Sequence, residues 1–184
     1  MYVYCFYDLK ATYDGAKLVT YPQFDTALMN GIEKELGAFL EKYSPDGLFF
    51  TNYDFPESDT AFADYMNCGA GMSYQDYLDG ASRLVVELAS SLVRKKSPGV
   101  QVGLVTEPQW ATTKENEAGQ NTLDPYSMLT DGHCDAKAMI EDKLVDMIAV
   151  KAFGSLTDGK IPFERIVKWW SELAAANEVR MYAI

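Results

Sequence analysis

The sequence holds one histidine, His133, and only three cysteines, Cys5, Cys68 and Cys134, among 184 residues. An odd cysteine number excludes a complete disulfide framework, and none of the spacings is that of a metal site. His133 and Cys134 are adjacent in the chain, which is weak support for zinc or for a nucleophile, so no metal ligand is assigned. Basic residues are scarce: 16 Lys and Arg stand against 27 Asp and Glu, a net charge of -11. Nucleic acids and anionic membranes both reward a basic surface, so neither is expected as a partner. A neutral or cationic ligand remains open. No run approaches the roughly 20 apolar residues of a membrane-spanning helix. The opening MYVYCFYDLK has no basic segment and no small-residue cleavage site, so it does not read as a signal peptide, and the compartment stays undetermined. Gly69-Ala70-Gly71 follows no strand and lacks the third glycine of a dinucleotide fingerprint. There is no G-x-S-x-G elbow either. No cofactor is expected.

What is present is alternation, in a chain that is 48% hydrophobic and long enough for one domain spanning 1–184. Strand-like runs are expected near 2–7, 46–51, 100–106, 144–151 and 179–184. Between them lie helical patterns. From Asp25, read as an N-cap, Leu28, Ile32, Leu36 and Leu40 recur every four residues up to about Tyr43. A longer helix runs from Ser73 to Arg94-Lys95-Lys96, whose charges complement its C-terminal dipole, and Ser97-Pro98-Gly99 stops it. A third spans Asp135 to Lys143. A fourth runs from about Pro162 to Ala176, with Ile166, Trp169, Trp170 and Leu173 on its apolar face. Strict β-α alternation implies an α/β fold with a parallel sheet of about five strands and crossing helices on one side. Two long irregular segments, Asp54 to Met72 and Glu107 to Asp131, each follow a strand. In parallel α/β folds ligands bind on that side of the sheet.

Four blocks of the chain, in order, resemble the bacterial glycosyl hydrolase-like 10 family. YSPDGLFFTNYDFP is similar to the family's YDVDGIHFDDYFYP. The stretch from YQDYLDGASRL to KKSPGVQVGLVTEPQW resembles a helix and strand ending in KPGVKFGISPFGIW. DAKAMIEDKLVDMIAV resembles DSRKWLREGWVDYIAPQ, and PFERIVKWWSELAAANEVRMYAI resembles a helix with paired tryptophans followed by a strand. The resemblance implies a partial TIM-type (β/α)8 barrel carrying the family's strands three to seven. A full barrel takes about 250 residues, so the length agrees with that reading. It also implies hydrolysis of O-glycosidic bonds of a glycan. An open barrel would leave edge strands on either side, hence an expectation of self-association.

The departures bear on mechanism. The family's consecutive acids after the fourth strand fall on Thr51 and Asn52, its histidine on Phe49, its glutamine on Lys151 and a tyrosine on Phe153. Glycoside hydrolysis normally needs two carboxyl groups, one to protonate the leaving oxygen and one as nucleophile or base. Asp54 and Glu107 are the acids left near strand ends, and they are the candidate catalytic pair. Asn52, Thr51, Tyr53, Trp110 and Lys151 are candidate sugar-binding residues, Trp110 as a stacking platform. Five of these have a plainer reading: Asp54 as a turn cap, Glu107 as a solvated acid, Lys151 as a surface lysine, Tyr53 and Trp110 as packing. Residue chemistry therefore leaves three alternatives: a hydrolase, a non-catalytic carbohydrate-binding pseudoenzyme, or a barrel piece without independent function. Asp46 and Asp146 precede their strands, at the end of a parallel fold that usually serves stability.

Overall fold

The computed structural model describes residues 3–9, 21–68, 71–124, 126–153, 156 and 159–184. Five strands, β1 (Tyr4–Asp8), β2 (Gly47–Thr51), β3 (Gln101–Thr106), β4 (Met147–Val150) and β5 (Arg180–Ala183), form one sheet in sequential order. Every neighbouring pair is parallel. Helix α1 (Tyr21–Tyr43) joins β1 to β2, and α2 (Asp59–Cys68) and α3 (Tyr74–Lys96) lie between β2 and β3. Helix α4 (Ala136–Glu141) precedes β4, and α5 (Phe163–Ala176) precedes β5. No helix among the described residues is long and apolar enough to cross a membrane.

Most elements follow the sequence pattern, and the differences have local causes. Helix α1 begins at Tyr21, so Asp25 lies inside it rather than capping it. Pro22 suits that first turn, where a missing N–H costs nothing. The expected positions Tyr2 and Gly69, and the side chain of Leu28, lie outside the described residues. Strand β4 is shorter than expected because Lys143 turns the chain at φ +59° and Leu144 N–H closes back on the Met139 carbonyl at 3.0 Å. The segment Asp54 to Met72 is not wholly irregular: it contains α2, whose first turn is capped by Ser58 Oγ accepting from Ala61 N–H at 3.1 Å. Ser73 and Asp135 cap α3 and α4 in the same way.

Alternate strand residues face opposite sides of a sheet. Leu48, Phe50, Val102, Leu104, Ile148 and Val150 join the main core with the helices. Phe49, Val105, Met147 and Ala149 form a separate cluster on the other face, flanked by Tyr4 and Tyr182. Gly103 makes that second cluster possible. A Cβ there would fall 2.6 Å from Phe49 Cδ1 and 2.7 Å from Met147 Cγ. The sheet curls towards this face, since Tyr4 on β1 and Tyr182 on β5, the two outermost strands, bring their rings to 6.1 Å.

The opposite ends of the strands are held by carboxylates. Asp46 Oδ2 accepts from Val3 N–H at 2.7 Å, and Asp146 Oδ2 accepts from Val102 N–H at 2.9 Å. Each acid stands just before its own strand and clamps the start of the strand before it. Both are structural.

Candidate functional site

Where the strands end, the chain turns polar. Thr51 at the end of β2, Asn52, Tyr53 and Asp54 just after it, Glu107 after β3 and Lys151 after β4 line one cleft with Val105, Tyr126 and Met128. Its empty volume is about 310 Å³, open solvent included. The parallel ladder sets the spacing: Lys151 N–H donates to the Thr106 carbonyl at 3.0 Å, so Glu107 and Lys151 leave adjacent strand ends together. Their side chains pair, with Lys151 Nζ 2.5 Å from Glu107 Oε1, both about one third exposed. Asn52 takes a left-handed backbone, φ +52°, which turns the chain sharply out of β2. Thr51 Oγ1 donates to the Tyr7 carbonyl at 3.3 Å.

Two candidate binding residues occupy different places from those expected. Tyr53 is 2% exposed and donates its hydroxyl to the Val105 carbonyl at 2.9 Å, making it a wall of the cleft rather than an open platform. Trp110 is 3% exposed and does not line the cleft. Its Nε1–H donates to Asp135 Oδ1 at 2.9 Å, and its ring stacks on Trp169 at 5.6 Å. With Lys137 Nζ also 5.6 Å from its centroid, Trp110 has no ring face open to a sugar. Trp110 is thus packed away from the cleft, while Tyr53 lines it with its hydroxyl already engaged.

Sequence reasoning missed a second aromatic that lines the cleft, Tyr126. It is held there by a loop folded around two buried glutamines. Gln109 Nε2 donates to the Asp124 carbonyl at 3.1 Å and to that of Tyr126, and its Oε1 accepts from Thr122 Oγ1. Gln120 Oε1 accepts from Trp110 N–H at 2.8 Å while its Nε2 donates to the Pro108 carbonyl at 2.8 Å. Buried glutamines in a polar loop are the one signal that this segment is ordered.

Burial, reinforced by the Asp54 and Glu107 carboxylates, pushes the Tyr126 phenol up to about 12. Its hydroxyl, protonated at neutral pH like that of any tyrosine, keeps its proton further into the alkaline range. Burial likewise raises Tyr53 well above its ordinary 10.0 and Cys134 well above 9.0. These three groups hold their protons more tightly folded than unfolded. Their contribution to stability is full below the unfolded values and is lost as pH rises through them. Urea midpoints are expected to stay level up to about pH 8.5 and to fall from about pH 9 to 11, less steeply in Tyr53→Phe. A midpoint unchanged at the alkaline end would show that these groups are not buried.

Among the described residues no group of three or more His, Cys, Asp or Glu side chains is placed to hold a metal ion. No protein-family model and no curated protein matches the sequence.

Proposed function

We propose that this chain is a carbohydrate-binding protein built on part of a TIM-type barrel, with little or no turnover of glycosidic bonds. The curl of the sheet supports the barrel. The ladders align Phe6, Phe49, Gly103, Met147 and Arg180 in one row. Tyr4 stands two residues before that row and Tyr182 two after it, yet their rings are 6.1 Å apart. A level layer thus climbs about one residue per strand, the ratio of an eight-stranded barrel with a shear of 8. Side chains meeting across four strand pairs match strands on opposite sides of such a barrel.

The Lys151–Glu107 pair carries the functional reading. Asp54 and Glu107 share a cleft, which favours hydrolysis as the second reading. A general acid must present its carboxyl to the leaving oxygen, whereas Glu107 Oε1 is already engaged by the Lys151 ammonium at 2.5 Å. That same positive charge opposes the oxocarbenium-like transition state. Thr51 and Asn52 supply hydroxyl and amide in place of acids. What remains is a set of donors and acceptors beside the exposed edge of Tyr126, suited to sugar hydroxyls.

Calorimetric titration against a panel of oligosaccharides, with product release followed in parallel, tests this. Binding without release is expected, weakened about tenfold by Lys151→Ala through loss of charged hydrogen bonds. Robust release abolished by Glu107→Gln would make the chain a hydrolase. Absence of binding to any glycan would end the carbohydrate reading.

A further inference from the structure

His133 is 2% exposed and holds a left-handed backbone, φ +47°, between the long loop after β3 and α4. Three segments meet at its ring. Gln75 of α3 places Nε2 2.6 Å from Nδ1 and also donates to Asp79 Oδ1 at 3.2 Å. Asp79 Oδ1 is itself 3.2 Å from Nδ1. Glu57, on the loop after β2, brings Oε1 within 3.8 Å of Nε2. Beside the ring the two loops are joined directly, Phe55 N–H donating to the Gly132 carbonyl at 3.0 Å.

The two charge states of the ring use these partners differently. When neutral, Nδ1 accepts from Gln75, whose amide hydrogens are then shared between His133 and Asp79. When protonated, Nδ1–H donates to Asp79 as a charge-assisted bond while the Gln75 amide turns away, and the Nε2–H side, already hydrogen-bearing in the neutral ring, gains the positive charge that draws in the Glu57 carboxylate. Nearby cations are engaged elsewhere: Arg83 of α3 pairs with Glu87 and Asp142, and Lys137 of α4 with Glu141. The neighbouring acids are occupied too, Asp135 by Trp110 Nε1 and Ala138 N–H, Asp131 by Ser127 N–H. The adjacent Cys134 thiol is kept neutral by burial.

We propose that His133 is a proton-operated latch. Its protonation recruits Asp79 and Glu57 and fastens the loop that carries Asp54 into the cleft against α3 and the loop after β3. The latch does not rest on what the cleft binds.

A single histidine gives one set of imidazole resonances, so NMR reads the charge state of the ring directly while the pH is lowered from about 8 to 5. Over that range the protection of the Phe55 amide against hydrogen exchange, corrected for intrinsic rate, is expected to rise about tenfold, the scale of one charge-assisted hydrogen bond. Glu57→Gln is expected to remove most of the rise, and Asp79→Asn or His133→Gln the whole of it. Glu57 is 69% exposed, so its variant remains folded and decides the matter even where His133→Gln does not fold. Protection that ignores pH in the native protein, or a rise that survives Glu57→Gln, overturns the proposal.

Discussion

Replacing Trp170 by alanine is expected to cost about 4 kcal/mol, a large part of the roughly 5–15 kcal/mol that holds a domain folded. Trp170 is fully buried on α5, and its Nε1–H donates to the Pro108 carbonyl at 2.7 Å. That carbonyl keeps a second donor, Gln120 Nε2, so the loss comes mainly from the cavity and not from an orphaned acceptor. Trp170→Phe, which keeps most of the volume, is expected to cost about 1–2 kcal/mol. Because Pro108 follows Glu107, the cavity also loosens the loop that presents the Lys151 partner. Urea denaturation of the three proteins measures the effect, and a change below about 1 kcal/mol for alanine would mean that α5 is not seated as described.

Asp146→Ala is expected to cost about 2 kcal/mol, because it strips a carboxylate acceptor from the Val102 N–H at a fully buried residue. The ion pair with Arg94, at 3.3 Å and partly exposed, adds little. Asp146→Asn keeps an acceptor and is expected to lose less than half as much. Asp46 does the same work for Val3, which is 42% exposed, so water replaces the missing acceptor and Asp46→Ala costs under about 1 kcal/mol. Equal losses at the two sites would show that charge, not desolvation of the amide, is what these acids provide.

The parallel sheet was legible because its signal is local and repeated. Runs such as GLFF and DMIAV, each after an amphipathic helix, leave few alternatives to strands buried on both faces. Helix stops were legible at Ser97-Pro98-Gly99 and caps at Ser73 and Asp135, since one side chain settles each. Helix α2 was not, because it is only ten residues long and Phe62, Tyr65 and Met66, though at helical spacing, make a single turn of pattern among acids and small residues. For the cleft, the sequence placed Asp54, Glu107 and Lys151 after strands, and parallel pairing was enough to bring them to one rim.

Which aromatic serves that rim was beyond the sequence. Trp110 and Tyr126 both sit in the segment after β3, and nothing local separates them. The fold does: Trp169 covers the Trp110 ring and Asp135 takes its N–H, while Gln109 gathers the Tyr126 backbone and turns that residue towards Asp54 and Glu107. Those partners lie far from one another in the chain. The Glu107–Lys151 pairing likewise spans β3 to β4 and depends on register. The sequence by itself determined the order of the five strands and of every helix but α2, and that the positions closing β2, Thr51 and Asn52, carry no carboxyl group, because each rests on periodicity or on the residue's own chemistry. Only the tertiary structure decided which side chains face the cleft and which are packed away, because that depends on contacts between segments that no local pattern encodes.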